Sequence, residues 1–409
     1  MKILACSDIH IGRIPSIPDT SLASSVSAWD AIVEQALDKH VDVVVLSGDV
    51  VDQDDAWFEA YGPLLKQLKR LQEHDIKVIA VAGNHDAKVF PKLAQESDAI
   101  CMLGLGGMWE HLDYHGVRFI GWSFPSSSYR IDPFEQFDTG LLDFDGPILG
   151  LLHCDIGGQT GSSNYAPVNQ FRIESISTPL WILGHIHAHR TGKNWLYCGS
   201  PYALDPSEKN SHGAWFLDQN GSNWNPPEFI QLCPYRFERC EVPLDTDTTA
   251  DNVHGYLIQA LESHADTIAK EGFVGKLYCH LTFTGIVQPR FDLKSILRSE
   301  LLDSLAIALD NLIEIRPMGS YEDRTEIEID LESLAKGVGP KAQLAHQLLT
   351  LNTSDKLVEQ VRELEKSSFQ TPAFFQLKSH AQVHEPEHIL HIIRQAGMRL
   401  LRSMLAQGE

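Results

Sequence analysis

Five short apolar runs in the first half of this chain each break off into a polar cluster, and no other feature limits the fold as much. The runs are Ile3-Leu4-Ala5-Cys6, Val41 to Leu46, Val78 to Ala82, Ile148 to Leu152 and Trp181-Ile182-Leu183. Each has the length and bias of a buried strand. Helical spacing occupies Ser24 to Lys39 and Trp57 to His74. Strands alternating with helices predict a layered α/β fold, whose ligands gather outside the carboxyl ends of the strands. The clusters at those ends are Asp8-Ile9-His10, Gly48-Asp49-Val50-Val51-Asp52, Gly83-Asn84-His85-Asp86, His153 and Gly184-His185-Ile186-His187. They are expected to converge on one place.

Singly, each cluster has a plain reading. D-x-H arises by chance, Gly-Asp and Gly-Asn are turn chemistry, and a lone histidine is more often packed or solvated than ligating. Jointly they deliver imidazoles, carboxylates and an amide from rigid loop bases, the inventory that two closely spaced metal ions need. Glycine beside Asp49, Asn84 and His185 lets the backbone bring a ligand to a crowded centre without a Cβ clash. Nitrogen and oxygen donors without a nominated thiolate suit manganese, iron or zinc better than copper or calcium. Asp52 and Asp86 are candidates to orient neighbouring ligands. His189 is either part of the site or merely exposed.

In this order, D-x-H, G-D-x-x-D, G-N-H-D, H and G-H-x-H resemble the calcineurin-like metallophosphoesterase superfamily, over residues 1 to about 200. The resemblance implies a layered β-sandwich flanked by helices. It also implies that Asp8, His10 and His187 bind one metal and Asn84, His153 and His185 the other, with Asp49 bridging and His85 standing by as an unligated acid. Two divalent ions bring four positive charges against the two negative ones of Asp8 and Asp49, a surplus that suits an anionic phosphoester. Water activated at such a centre is a nucleophile at neutral pH.

The layout is most similar to SbcD and YhaO-like DNA-repair exonucleases. Ser7-Asp8-Ile9-His10-Ile11-Gly12 looks like their opening S-D-x-H-x-G, and Tyr165-Ala166-Pro167-Val168 and Tyr197-Cys198-Gly199-Ser200-Pro201 resemble later segments. Tyr202-Ala203-Leu204-Asp205-Pro206 departs from the glutamine-containing version of that stretch. Ser/Thr protein phosphatases would show G-D-x-x-D-R-G and G-N-H-E, where this chain has Asp52-Gln53-Asp54 and Gly83-Asn84-His85-Asp86. The resemblance therefore implies a manganese-dependent DNA exonuclease, with endonuclease action also open, in repair or recombination. It implies an SMC-like (SbcC-type) ATPase partner and a homodimer of nuclease subunits. Two alternatives stand beside it: a phosphodiesterase or phosphatase acting on nucleotides or other small phosphoesters, and a scaffolding or regulatory subunit.

From about Tyr235 the pattern restarts, which divides the chain into 1–235, 236–336 and 337–409. The middle segment reads as strands at Phe237 to Val242, Lys276 to Phe283 and Leu312 to Arg316, with helices at Thr249 to Lys270 and Leu293 to Leu302. The resemblance implies that this small α/β unit is the family's capping domain, with Arg290, Lys294, Arg298 and Arg316 either helping to position DNA or forming a solvated face. After Gly337-Val338-Gly339-Pro340 the chain turns helical, first through Leu344, Leu348 and Leu351, then through Leu357, Val361 and Leu364. A last helix from Pro386 carries Ile389, Ile392, Ala396, Leu400 and Met404 on one face. These helices either dock the ATPase or pack on their own domains. His384-Glu385-Pro386-Glu387-His388 fits the zinc-protease string H-E-x-x-H, but a helix beginning at Pro386 leaves His384 outside it.

Composition adds three limits. The net charge of -22 is awkward for a DNA enzyme, because Lys and Arg contacts supply most nonspecific affinity. Seven scattered cysteines without a C-x-x-C pair disfavour a disulfide framework, and with no signal-like amino terminus the expectation is a reduced, cytoplasmic protein. No run approaches the roughly 18 apolar residues of a membrane helix.

Overall fold

The computed structural model describes residues 1–17, 24–157, 164–176, 179–221, 223–298, 302, 305–308, 313–368 and 385–406. The chain forms two units, one of Met1–Cys240, Leu261–Leu281 and Ser299–Ser320, the other of Glu241–Ala260, Thr282–Arg298 and Tyr321–Glu409.

The apolar runs are strands. In the first unit β1 (Lys2–Cys6), β2 (Val43–Ser47), β3 (Lys77–Val81) and β4 (Ile100–Met102) lie parallel. A second sheet holds β5 (Glu110–Tyr114) antiparallel to β6 (Val117–Trp122), then β7 (Ile148–His153), β8 (Pro179–Gly184) and β9 (Trp195–Tyr197) parallel to β6. Strand β10 (Gly213–Asn220) runs antiparallel to β1 and extends the first sheet.

Alternation along each strand divides its side chains between two cores. Ile3, Ala5, Val43, Val45, Ile79 and Val81 of the first sheet pack against Phe119, Leu149, Leu151 and Ile182 of the second. The opposite face of the first sheet, with Leu4, Val44, Leu46 and Val78, is covered by α1 (Ser25–Asp38) and α2 (Trp57–Glu73). Ser24 caps α1 by accepting the Ser27 N–H at 3.0 Å, and Trp29, Ile32, Val33 and Ala36 point inward at helical spacing. The outer face of the second sheet packs Trp122, Leu152, Trp181 and Leu183 against Phe134 and Ile173. The inner strands of both sheets are therefore buried on two faces, which is why they read as continuous apolar runs. This is the layered α/β sandwich expected.

Residues beyond β10 add Tyr235–Leu244, Gly275–Val287 and Ile313–Asp323 to a further sheet, and a helix at Val253–Ala269. The helix expected over 293–302 is described only at Leu293–Ile296, since 299–301 lie outside the described residues. Helices Leu331–Ala335, Pro340–Thr350, Lys356–Ser368 and Pro386–Ala406 follow, with Ala345, Leu348 and Leu401 in a small core. The last helix does begin at Pro386, while His384 lies outside the described residues. None of the seven cysteines forms a disulfide, and no described helix is long and apolar enough to cross a membrane.

Candidate metal centre

The parallel strands deliver their polar clusters to one end of the sandwich. The loops after β1 and β2 bond to each other: Asp8 N–H donates to Gly48 C=O at 3.0 Å, His10 N–H to Asp49 C=O at 3.0 Å and Ile11 N–H to Val50 C=O at 2.8 Å. Asp8, His10, Asp49 and His185 all hold left-handed backbone, with φ of 53°, 51°, 50° and 98°. Each such non-glycine residue costs about 1 kcal/mol or more, and strain of this kind gathers at functional sites. Two glycines make room. A Cβ on Gly83 would lie 2.1 Å from Asp49 Oδ1, and one on Gly184 would lie 2.1 Å from the Ser47 carbonyl oxygen and 2.8 Å from His153 Nδ1.

Three side-chain groups each bring their ligand atoms within 4.8 Å of one another: Asp8 with His10 and His187, Asp8 with Asp49 and His153, and His10 with Asp52 and His85. In the first group His10 Nε2 and His187 Nε2 stand 3.3 Å apart. The remaining nitrogen of each ring is already committed, His10 Nδ1 to Asp52 Oδ1 at 3.0 Å and His187 Nδ1 to Glu208 Oε1 at 2.6 Å. Both Nε2 atoms thus present lone pairs to the same spot. Imidazole nitrogens bound to one ion at about 2.0–2.1 Å stand about 3.3 Å apart at a tetrahedral angle, so the pair fits a shared cation. Ser7 Oγ–H donates to the Asp8 carboxylate, and His185 N–H donates to it at 3.1 Å.

The second group is more deeply buried. His153 donates Nδ1–H to the Ser47 carbonyl at 3.0 Å and turns Nε2 toward Asp49 Oδ2 at 3.2 Å and Asn84 Oδ1 at 3.1 Å. His185 stands beside this group without sharing its cluster of ligand atoms, its ring 5.3 Å from that of His153 and 4.6 Å from that of Tyr165. Asp8 reaches both groups, and Asp49 lies with His153 while its Oδ1 accepts the His85 N–H at 2.9 Å.

Charge follows this geometry. Burial raises the Asp49 carboxyl, but the facing His153 outweighs it and holds the group well below the usual carboxylate range. Burial opposes protonation of His153, yet the charge of Asp49 pushes it up to about 9. Burial, aided by the charge of His153, pushes His185 down to about 4, leaving a neutral imidazole at pH 7.

Among the orienting candidates, Asp52 holds His10, whereas Asp86 accepts N–H groups of Gly83 at 2.8 Å, Val50 at 2.7 Å and Val51 at 3.2 Å. Asp86 therefore pins the β2 and β3 loops together. His85 is exposed, with Nδ1–H donated to the Asp52 carbonyl at 2.6 Å and its ring 4.9 Å from that of His10. His189 faces elsewhere, stacked 3.8 Å from Phe229 and bonded to the Ser211 carbonyl at 3.0 Å. Glu208 was not foreseen; it follows the Tyr202 to Pro206 stretch in a loop without periodicity, and only the fold brings it to His187.

Residues 1–189 match the family model described as calcineurin-like phosphoesterase, and with this sandwich and donor set they form a calcineurin-like metallophosphoesterase domain. Among curated relatives the chain is similar to the DNA double-strand break repair protein Mre11 of Sulfolobus acidocaldarius, 26% identical over 54% of this chain and 61% of that protein. Mre11 of Sulfurisphaera tokodaii is 31% identical over 54% of this chain and 60% of its own length. The uncharacterized metallophosphoesterase YhaO of Bacillus subtilis is 24% identical over 66% of this chain and 69% of that protein. The chain thus spans about three fifths of the length of these two Mre11 proteins.

Proposed function

We propose that this chain hydrolyses phosphodiester bonds of DNA with two divalent metal ions, manganese foremost, as the nuclease subunit of a repair or recombination complex with an SMC-like ATPase. The observation that carries the metal reading is the opposed pair of His10 and His187 Nε2 atoms, 3.3 Å apart with both Nδ1 atoms held by carboxylates. DNA as substrate is supported by likeness to Mre11 proteins.

On this reading Asp8, His10 and His187 hold one ion and Asn84, His153 and His185 the other. Asp49 would bridge them, although it is Asp8 rather than Asp49 that falls in both donor groups. Bound ions would supply a nucleophile at neutral pH and offset the phosphate charge. The chain's own residues do the rest. Asp52 keeps His10 oriented, and the exposed His85, tethered through Nδ1, presents Nε2 to stabilise developing charge or hand a proton to the leaving oxygen. Segment 236–336 serves as a capping domain beside the DNA. Segment 337–409 docks the ATPase, with Leu357 and Leu364 exposed on its helices. The cytoplasm is the expected compartment.

The net charge of -22 favours a second reading, a phosphodiesterase or phosphatase on small phosphoesters, because an excess of 55 acidic over 33 basic residues works against nonspecific grip on a polyanion. A scaffolding role fits less well, since a retired site would be free to lose donors such as Asp49. The test is turnover of metal-free protein after adding manganese, on end-labelled linear DNA, circular single-stranded DNA, bis-p-nitrophenyl phosphate and a phosphopeptide, with Asp49→Ala as control. DNA degradation that vanishes in the control supports the nuclease. Cleavage of the small diester alone supports the second reading, and dephosphorylation of the peptide alone overturns the nuclease assignment.

A further inference from the structure

Resting on the metal reading above, we propose that Glu208 is a positioning residue for the ion held by Asp8, His10 and His187. Its carboxylate is mostly buried, with 13% of the side chain exposed. Oε1 takes the Nδ1–H of His187 at 2.6 Å, and Oε2 takes the Leu204 N–H at 2.7 Å and the Ser200 hydroxyl at 3.3 Å. The carboxylate is thus held from two sides by the loop that follows β9, and Ser200 N–H returns to the His187 carbonyl at 3.0 Å.

Holding Nδ1–H selects one tautomer. Nε2 of His187 is left as the lone-pair atom, aimed at His10 Nε2, which Asp52 fixes in the same manner from the opposite side. Asp52 and Glu208 therefore form a matched pair, each carboxylate behind one imidazole. A negative partner also makes the imidazole a better donor, and losing such a partner typically costs about 10–100-fold in metal affinity. Gln at position 208 keeps the size and can still meet the Leu204 N–H, but it removes the charge and lets an amide N–H donate to Nδ1, favouring the wrong tautomer.

The experiment titrates metal-free protein with Mn2+ by calorimetry, and reads the His187 tautomer by 15N–1H NMR of histidine-labelled metal-free protein. Wild type should bind two ions and show Nδ1–H at His187. Glu208→Gln should keep its thermal midpoint, weaken one of the two sites about 10–100-fold, and lose the Nδ1–H signature. Asp52→Asn should weaken the same site. Two wild-type affinities in Glu208→Gln with the tautomer unchanged would overturn the assignment of Glu208 and leave the metal reading standing. Equal weakening of both sites with a fallen midpoint would overturn it too, in favour of a loop-packing role. Wild type binding no Mn2+ would overturn the metal reading and this proposal together.

Discussion

Replacing Gly83 with alanine tests the site through space alone. Its added Cβ would meet Asp49 Oδ1 at 2.1 Å, Asp49 N at 2.6 Å and Asp49 Cγ at 2.8 Å. Rotating the carboxylate relieves the first and third contacts but not the second, which involves backbone. Rotation also abandons the His85 N–H at 2.9 Å and His153 Nε2 at 3.2 Å. The Asp49 loop must then move, against bonds from His10 N–H to Asp49 C=O and from Val50 N–H to Asp86. Overpacking of this kind costs about 1–3 kcal/mol. At roughly 2–4 °C per kcal/mol the thermal midpoint should fall by about 2–12 °C. Displacing a ligand by half an ångström or more should weaken Mn2+ at the Asp49 group at least about tenfold, equivalent to about 1.4 kcal/mol. Gly255→Ala is the control, since its Cβ meets nothing within 4 Å; it should be neutral or stabilising by up to about 1 kcal/mol. Calorimetric Mn2+ titration and thermal melts read both variants. Wild-type affinity for two ions in Gly83→Ala would refute the reasoning.

Three further outcomes are expected. His85→Ala should keep both metals and lose most turnover, while Asp49→Ala loses metal as well; equal loss by elemental analysis would end this division of labour. Mn2+ binding should release protons at neutral pH. His153 sits at about 9 in the metal-free protein, and a ligating imidazole must be neutral, so affinity should rise with pH through the neutral range and level off above about 9. A flat affinity profile, with no buffer-dependent heat, would remove His153 from the ligand set. The homodimer that the family resemblance implies should appear in gel filtration of the pure protein, and monomer alone at working concentration would count against it.

What could be read from the sequence was whatever burial writes into it. Strands β1, β2, β3, β7 and β8 are covered on both faces, so their apolar runs are unbroken and the donors stand just past their ends. Pro386 marked a helix start for the same local reason. Strand β5 was not foreseen, because Glu110, His111 and Asp113 interrupt it where one side meets solvent. Asp86 was placed near the site, but its use as an anchor for three backbone N–H groups depends on two loops meeting. Glu208 lies 21 residues from His187, and a contact made by folding leaves no periodic trace.

The most direct test is anomalous diffraction from crystals soaked in Mn2+. The account predicts two peaks at the ends of β1, β2, β3, β7 and β8, one touching Asp8, His10 Nε2 and His187 Nε2, the other touching Asn84, His153 and His185, with Asp49 touching both. A single peak away from the His10–His187 pair, or none, would contradict it.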